Sequence, residues 1–541
     1  MPNPSAPTSS TAAPSTEENI YQHTLLNPRI RGDKVALWCR PKGSRRDLSR
    51  TFDELKGDAN RIAAWLRAQG LGPGSRVLIL VPMSFELYAL IMGVAQIGAV
   101  CVFLDMWATR AQIDAAIAAA APDVFFGIPK AHLLRLTSPA FRRIPIQIRV
   151  GSGWLGRPYR RILETTRPDP TVAPVSPDDA AIIAYTTGST GRPKAVRRSH
   201  GYVRHMLDAL DVHEAKRIDA IDFPCWPILL FDGLCHGRTS VIPQFPPGKI
   251  AEADPVVLLD QMISCGVTLL TGPPSLFERL ADHCERMGRT LPVEHAFAGG
   301  AVVPPTLLHR IQRLMPRGSA YVVYGSTEVE PISIASAREL AEAPEGPGTC
   351  VGRLHPALEL KIVRGHEGPI VLGERLWDEW ELPVGEWGEI VVSGPHVAVD
   401  YYEDPDAFAL NKIREPSGRI WHRTGDTGYL DETGRIFLTG RLSHIVTTER
   451  GRLYPVPIER EAKRIAGVGN AALMAMGQEA WMIIEPAPGA DARSVIDLVK
   501  VSLGHHPIDR FQLHSRLPVD PRHNSKIDLD RLRAELAGRT P

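Results

Sequence analysis

The sequence predicts an α/β protein in which a large N-terminal domain of layered sheets and helices precedes a small α+β domain. Apolar runs of strand length alternate with amphipathic stretches of helical period as far as residue 324. A β-rich segment follows, and then the pattern changes again near residue 441. The 541 residues suffice for two to four domains of about 150 residues each.

The N-terminal alternation indicates mainly parallel sheets, because strands that are joined through helices run in the same direction. The predicted strands are Arg76–Val81, Val100–Leu104, Ala180–Tyr185, Thr268–Thr271, His295–Ala298 and Ala320–Tyr324. The predicted helices are Asp53–Gln69, Ile113–Ala120, Pro255–Ser264, Ser275–Met287 and Pro305–Leu314.

Two changes of pattern divide the rest of the chain. Short alternating runs at Glu359–Val363 and Gly388–Ser393 predict a β-rich subdomain between residues 352 and 401. After Gly440–Arg441 about 100 residues remain, enough for a small α+β domain. A start rich in Pro, Ser, Thr and Ala predicts a disordered tail. We therefore predict a tail over residues 1–18, an N-terminal domain over 19–442 and a C-terminal domain over 443–541.

Composition excludes several classes of function. The chain has 62 Lys and Arg residues against 61 Asp and Glu residues, a net charge of +1. Proteins that bind nucleic-acid polymers usually carry a basic excess, and anionic membranes attract the same excess. The seven cysteines are odd in number and include no C-x-x-C pair. A disulfide framework or a structural zinc site is therefore not expected, and a reducing cytoplasm fits best.

One apolar segment reaches the length of a membrane span. Residues 87–104 carry no charge, and 18 residues is the lower limit for a spanning helix. Two glycines and a glutamine interrupt the segment, however, and its flanks are Glu86 and Asp105 instead of basic anchors. We therefore predict a buried helix at Ser84–Ile97, a buried strand at Ala99–Leu104 and no membrane span.

The strongest chemical signal is a strand that runs directly into a loop rich in glycine and hydroxyl groups. The loop comprises Thr186, Thr187, Gly188, Ser189, Thr190, Gly191, Arg192, Pro193 and Lys194. Glycines let the backbone approach a bulky anion, while amides, hydroxyls and a lysine donate to phosphate oxygens. The common nucleotide loop G-x-x-x-x-G-K-[ST] does not match, because Pro193 stands where its last glycine should be.

This loop resembles the phosphate loop of the adenylate-forming superfamily, which includes acyl-CoA synthetases, peptide-synthetase adenylation domains and luciferases. The family's other motifs follow in order: Y-G-x-T-E at Tyr324-Gly325-Ser326-Thr327-Glu328, W-x-x-T-G-D at Trp421–Asp426, the hinge G-R at Gly440-Arg441, and the C-terminal lysine at Lys526. The resemblance covers roughly residues 20 to 540. It implies an AMP-forming ligase that uses ATP and Mg²⁺ to activate a carboxylic acid, with a mobile C-terminal domain.

Several motif residues suit the nucleoside part of ATP. Tyr324, with Gly325 and Ser326 of the same motif, can flank adenine, and Gly299-Gly300-Ala301 after a strand leaves room for the base. Asp426 can accept hydrogen bonds from the ribose hydroxyls, and Arg441 can add a further ribose contact.

Other motif residues suit the chemical step, in which a carboxylate attacks the α-phosphorus and negative charge grows on the phosphates. Glu328 is the predicted magnesium ligand, since Mg²⁺ prefers carboxylate and phosphate oxygens. Thr327 can donate to the α-phosphate. Lys526 can reach the α-phosphate and the attacking carboxylate when the small domain closes. We count Lys526, Thr327 and Glu328 as catalytic. Among His200, His236 and His422, no spacing indicates a metal site.

The hinge departs from the family pattern. An acidic or basic pair usually follows G-R-x, whereas this chain has Ser443-His444, and Gly451 comes one residue later than usual. In thioester-forming members this region helps to build the thiol tunnel. The departure therefore argues against the use of CoA.

Other segments resemble the β-lactone synthetases of bacterial long-chain olefin biosynthesis. They are Phe223–Pro227, Thr239–Pro243, Gly348–Arg353, Gly440–Val446 and Arg522–Ile527. The resemblance implies that a β-hydroxy acid is adenylated and that its hydroxyl then closes the lactone ring and expels AMP. Trp226 and Phe231 are candidates for the acyl-pocket wall, and Glu330 near the pocket entrance favours a shorter or more polar acid.

The alternative is an acyl-CoA or amide-forming ligase that uses the same acyl adenylate. A non-catalytic nucleotide-binding scaffold is disfavoured, because the chain retains Lys194, Glu328, Asp426 and Lys526.

Overall fold

The structure is a computed structural model that describes residues 14–41, 44, 46–104, 108–187, 193–210, 216–246, 250–519 and 527–538. Its α-helices are Ile20–Thr24, Phe52–Ala68, Phe85–Gln96, Arg110–Ala120, Pro129–His132, Leu134–Thr137, Pro139–Arg143, Tyr159–Thr165, His200–Leu210, Pro227–Cys235, Pro255–Cys265, Pro274–Met287, Pro305–Leu314, Ala337–Ala341, Pro405–Asn411, Pro455–Lys463, Ala492–Ser502 and Leu529–Leu536. Short 3₁₀ helices are Thr16–Glu18, Ile250–Glu252, Leu376–Glu379 and Leu442–His444.

The sequence encodes the ends of several helices. Before the helix Phe52–Ala68, the Thr51 hydroxyl accepts a hydrogen bond from the Glu54 amide at 3.2 Å, and the Glu54 carboxylate accepts one from the Thr51 amide at 2.8 Å. This reciprocal pair satisfies two amides that have no partner within the helix.

Two eight-stranded sheets form the layered body, and the first of them, sheet A, is mainly parallel. Its strands are, in spatial order, Val329–Ser336, Ser319–Ser326, His295–Gly299, Leu269–Gly272, Ile221–Pro224, Thr239–Ile242, Val35–Cys39 and Leu48–Thr51. Only the two edge pairs of this order are antiparallel. Helices Pro255–Cys265, Pro274–Met287 and Pro305–Leu314 pack against this sheet through a shared cluster of buried apolar side chains.

The second sheet, sheet B, has the same mainly parallel character. Its strands are, in spatial order, Asp400–Tyr401, Pro193–Ser199, Ala180–Thr187, Val100–Phe103, Arg76–Leu80, Val124–Gly127, Ile146–Arg149 and Arg157–Pro158. The first two pairs are antiparallel, and the others run parallel.

The β-rich subdomain is an antiparallel sheet. Its strands are, in spatial order, Thr349–Arg353, Arg435–Arg441, Ile420–Leu430, Gly388–Ser393 and Glu359–Val363, with Lys412–Arg414 also paired to Ile420–Leu430. The strands Glu359–Val363 and Gly388–Ser393 have the predicted bounds.

Separate sheets follow the strand that ends at Arg441. One is the pair Val446–Thr448 and Gly451–Leu453, and the other contains Val468–Met476, Glu479–Pro486 and Arg510–Leu513. Two apolar clusters in this region draw their buried members from residues 446–532 alone. The predicted boundary at Leu442/Ser443 agrees with this arrangement but stays a prediction.

The predicted α/β class is confirmed, and those elements that were predicted differ from the structure mainly at their ends. The helix predicted from Ile113 begins at Arg110, because Thr109 and Gln112 form a second capping box. The segment 87–104 forms the buried helix Phe85–Gln96 and the strand Val100–Phe103. Within the part of the chain that is described, no helix combines the length and apolarity that crossing a membrane would need.

The predicted tail carries regular structure at its end. Ser15 bridges to Val175, and the 3₁₀ helix Thr16–Glu18 follows, while residues 1–13 lie outside the described residues. No disulfide joins any of the seven cysteines, all of which are described.

Candidate active site

A cleft of about 3530 Å³ lies at the carboxyl ends of strands from both eight-stranded sheets. Residues that directly follow strands contribute to its wall: Val81, Leu104, Ile128, Cys225, Pro243 and Gly300. This edge is where parallel α/β sheets bind ligands, because the loops there are not constrained by sheet pairing. Residues of the C-terminal region, including Asn470, Met474 and Arg533, also line the cleft.

The Y-G-x-T-E motif forms a hairpin turn in the cleft wall. Ser326 pairs with Val329, so that Thr327 and Glu328 are the two turn residues. The carbonyl of Thr327 accepts hydrogen bonds from Arg198 Nε at 3.1 Å and Arg198 Nη2 at 2.6 Å. Thus a strand of sheet B fixes the turn of sheet A.

The carboxylate of Glu328 lies in a charged environment. Its Oε1 accepts a hydrogen bond from the Tyr401 hydroxyl at 3.0 Å. Burial alone would raise the pKa of Glu328, but the His422 ring, the Lys412 ammonium and the Tyr401 hydrogen bond outweigh it and lower the pKa to about 2. Glu328 is therefore ionised at neutral pH.

Lys412 and Tyr401 are functional candidates that the sequence analysis missed. Lys412 is buried, donates to the Ala398 carbonyl and lies 5.3 Å from the Tyr401 ring. Burial lowers the pKa of Lys412 to about 8, although the negative charge of Glu328 acts to raise it. The sequence carries no clear signal for Lys412, because it follows the polar Asn411 and its partner Glu328 lies 84 positions earlier.

His422 lies on the cleft side of the W-x-x-T-G-D strand. Its Nδ1 lies 3.2 Å from the Asn411 carbonyl oxygen. Burial and the charge of Lys412 lower the pKa of His422 to about 3. By contrast, His200 lies outside the cleft lining, and its Nδ1 accepts from the Ile20 amide at 3.2 Å.

The residues predicted to contact the nucleoside meet at one end of the cleft. The Tyr324 hydroxyl donates to Asp426 Oδ2 at 2.9 Å, and Arg441 Nε lies 2.9 Å from Asp426 Oδ1. Asp426 and Arg441 are directly paired across neighbouring strands. Burial raises the pKa of Tyr324, and the charge of Asp426 adds to this effect.

The Gly299-Gly300-Ala301 segment ends a strand beside this group. A Cβ on Gly300 would lie 3.0 Å from the Trp226 ring, and Gly300 has a φ of +74°. A Cβ on Gly299 would lie 2.8 Å from the Val323 carbonyl oxygen. Both positions therefore require glycine, and Gly300 brings the predicted base site against the predicted acyl wall.

The phosphate loop is described only at its base. Thr186 pairs with Lys194 across the antiparallel strands, and Lys194 Nζ donates to Asn411 Oδ1 at 2.9 Å. Burial lowers the pKa of Lys194, while Glu328 acts in the opposite direction. Four predicted loop residues, Gly188, Ser189, Thr190 and Gly191, and the predicted catalytic Lys526 lie outside the described residues, as does the side chain of Thr187.

Trp226 and Phe231 both line the cleft, on the side of sheet A. Trp226 is the N-cap of the helix Pro227–Cys235, and Phe231 is 2% exposed within that helix. Much of the neighbouring wall is apolar, with Met83, Leu87, Ile91, Phe103 and Phe245 among its side chains. The wall can therefore take the carbon chain of an acid.

A buried ion network anchors this helix to its strand. Arg238 is fully buried and donates from Nε to Asp222 at 2.9 Å and from Nη2 to Asp232 at 2.6 Å. Lys216 Nζ lies 2.9 Å from Asp232, and His236 Nδ1 lies 3.1 Å from the same carboxylate. His236 thus belongs to this network and not to a metal centre of the cleft.

Replacing Arg238 by methionine should lower the free energy of unfolding by about 3–5 kcal/mol, since it leaves two buried carboxylates without their shared partner. Urea denaturation followed by circular dichroism measures the change. Arg313→Met is the control, because the Arg313 side chain is 75% exposed. Equal unfolding midpoints for the two variants would contradict the assignment.

Glu328 fits the donor chemistry of a magnesium site. It is an ionised carboxylate in the wall of a cleft that Lys194 also lines. Mg²⁺ at nucleotide sites is bound through one or two carboxylates together with phosphate oxygens. The residues present therefore suit the ion, and Glu328 would be its protein ligand.

The fold and this cleft define an adenylate-forming enzyme. The chain belongs to the AMP-binding enzyme family, whose model matches residues 27–402. It is accordingly an AMP-forming ligase that uses ATP.

The relatives of this chain include two olefin beta-lactone synthetases. That of Stenotrophomonas maltophilia is 33% identical over 93% of this chain and 95% of its own length. That of Xanthomonas campestris is 34% identical over 95% of this chain and 98% of its own. A feruloyl-CoA synthase of Amycolatopsis is 27% identical over 87% of this chain and 91% of its own.

Solved structures share the fold over nearly the whole chain. The amide bond synthetase McbA of Marinactinospora thermotolerans superposes with a TM-score of 0.79 at 24% identity, covering 96% of this chain and 99% of its own. ATP-bound MatB of Rhodopseudomonas palustris superposes with a TM-score of 0.78 at 21% identity, covering 96% of this chain and 98% of its own.

Proposed function

We propose that this protein adenylates a β-hydroxy acid and closes the acyl adenylate to a β-lactone with release of AMP. The main support is the identity of 33% and 34% to two olefin beta-lactone synthetases over more than nine-tenths of the chain. The feruloyl-CoA synthase named above is less similar, at 27% identity. The hinge supports the same conclusion, because Ser443 and His444 replace the charged pair of thioester-forming relatives.

In the first step, a carboxylate oxygen of the acid bonds to the α-phosphorus and pyrophosphate leaves. In this proposal Asp426 and Arg441 hold the ribose, Tyr324 flanks the base, and Lys194 with the loop 186–191 binds the departing phosphates. Thr327 donates to the α-phosphate, and Lys526 neutralises charge that grows there. Glu328 would hold Mg²⁺, which supplies positive charge to the phosphate oxygens.

In the second step, the β-hydroxyl oxygen bonds to the acyl carbon, the bond from that carbon to AMP breaks, and the hydroxyl proton passes to the departing phosphate of AMP, which carries it out to solvent. The nucleophile belongs to the same molecule, so its effective concentration is high and no second substrate has to bind. The apolar wall around Trp226 and Phe231 keeps water from the adenylate, which would otherwise hydrolyse.

A product assay tests this proposal directly. The protein is incubated with ATP, Mg²⁺ and a panel of β-hydroxy acids, with and without CoA, and the products are identified by mass spectrometry. We expect one lactone and one AMP per acid consumed, with no requirement for CoA. Product formation that depends strictly on CoA would overturn the proposal.

Acyl-CoA synthesis is the second candidate, and the feruloyl-CoA synthase relative is the observation that favours it. In the same assay it predicts a CoA thioester and no lactone.

We place the protein in the cytoplasm, where its seven thiols would stay reduced. We also place the boundary of a mobile C-terminal domain at Leu442/Ser443, which would let Lys526 reach the cleft on closure.

A further inference from the structure

The cleft contains an ion pair that the nucleotide chemistry does not use. Arg198 Nη2 lies 4.0 Å from Glu330 Oε2, beyond hydrogen-bonding distance. The two side chains are 6% and 23% exposed, and both line the cleft. Arg198 directs its Nε and Nη2 donors to the Thr327 carbonyl instead.

The Glu330 carboxylate therefore has spare acceptor capacity. Among the described residues, no N–H or O–H group donates a hydrogen bond to it, and the charged groups that act on it are Arg198, Lys216 and Asp232. A carboxylate that is largely removed from water without a donor is costly, so a ligand group that supplies a donor is favoured there.

The position of Glu330 matches the acyl end of the substrate. Glu328 and Glu330 both line the cleft, while Val329 between them is fully buried. Two residues of chain span at most about 7 Å, which limits the distance from the phosphate-facing turn. Glu330 also lines a small cavity of about 50 Å³ together with Trp226 and Gly300. It therefore lies beside the acyl wall, where the first carbons beyond the carboxyl group would pass, and not at the pocket entrance where the sequence pattern placed it.

We propose that Glu330 accepts a hydrogen bond from the β-hydroxyl of the bound acid and so selects hydroxylated acids for activation. This inference rests on the proposed function, since it assumes that the substrate is a β-hydroxy acid. Arg198 has a positioning role: it holds the Thr327 turn and balances the charge of Glu330. A site that is built to bind a hydroxyl discriminates strongly against the analogue that lacks it, because its polar group is then left unpaired.

The test compares one β-hydroxy acid with its 3-deoxy analogue. Pyrophosphate release in a single turnover reports adenylation of either acid, and mass spectrometry reports the lactone. For wild-type protein we expect kcat/KM for adenylation to favour the hydroxy acid by about 10–100-fold. In Glu330→Ala this preference should fall to near one, mainly through a higher KM for the hydroxy acid. Glu330→Gln keeps an acceptor oxygen and should retain part of the preference.

Two controls separate a specific role from a structural one. Glu294→Ala removes a carboxylate outside the cleft lining, where the side chain is 54% exposed, and should leave the preference unchanged. Arg198→Leu leaves the Thr327 carbonyl with the Tyr202 hydroxyl as its remaining side-chain donor, at 3.3 Å, and should slow adenylation of both acids. Thermal melting confirms that each variant is folded.

The outcomes distinguish a failure of the proposed function from a failure of the proposed role of Glu330. If wild-type protein forms no lactone from any β-hydroxy acid, the proposed function fails. If it forms lactone but Glu330→Ala keeps the wild-type preference, the proposed function stands and the role of Glu330 is overturned. A loss of preference in Glu330→Ala alone supports the inference.

Discussion

Replacing Glu328 by glutamine should lower the rate of adenylation by about 10²–10³-fold, the loss that follows removal of one electrostatic contact to a transition state. Glutamine keeps the shape of the side chain but removes the charge that faces Lys412 and Lys194. It also removes the proposed ligand of Mg²⁺, so the concentration of Mg²⁺ for half-maximal rate should rise. ATP–pyrophosphate exchange across a magnesium titration measures both effects.

Two variants calibrate this result. Tyr401→Phe removes the 3.0 Å hydrogen bond to Glu328 but keeps the carboxylate. It should therefore lower the rate of adenylation far less than Glu328→Gln does. Glu374→Gln changes an exposed carboxylate and should have no effect. The assignment of Glu328 fails if Glu328→Gln exchanges pyrophosphate at the wild-type rate with an unchanged magnesium requirement.

Replacing Lys526 by alanine should likewise reduce adenylation by about 10²–10³-fold, since it removes a cation from the α-phosphate and the attacking carboxylate. The effect should appear in kcat while the KM for ATP changes little, because in the proposed mechanism the contact forms only when the C-terminal domain closes. Initial rates of pyrophosphate release measure it.

Lys500→Ala is the matched control for Lys526→Ala. Lys500 lies on the helix Ala492–Ser502 of the same region and is 49% exposed, so its loss should leave the rate unchanged. Unchanged pyrophosphate release from Lys526→Ala would remove Lys526 from the site.

The fold was predictable where local pattern and burial agree. Glu359–Val363 alternates charged and apolar side chains and has the predicted bounds. Gly388–Ser393 also has the predicted bounds, although all six of its residues are buried. The strand Pro193–Ser199 was not predicted, because its lysine and two arginines conceal the alternation. It is a strand because it pairs with Ala180–Thr187, a tertiary contact that sequence periodicity does not contain.

The site was predictable where residues follow one another in a motif. Tyr324, Asp426 and Arg441 belong to three motifs, and the structure brings them into direct contact. Arg198 and Lys412 belong to no such motif. Arg198 contacts Thr327 from 129 positions earlier in the chain, and only the packing of sheet A against sheet B creates that contact.

The ion pair between Asp426 and Arg441 gives the hinge a thermodynamic role. Arg441 ends one strand, and the next three residues form the 3₁₀ turn that leads into the C-terminal region. The carboxylate proposed to bind ribose is thus tied to the arginine of the hinge motif. If the proposed C-terminal domain rotates at this hinge and shifts Arg441, the affinity of Asp426 for ribose changes, and bound nucleotide must then change the equilibrium of that rotation by the same factor. Nucleotide affinity and domain orientation are therefore reciprocal measurements of one coupling free energy.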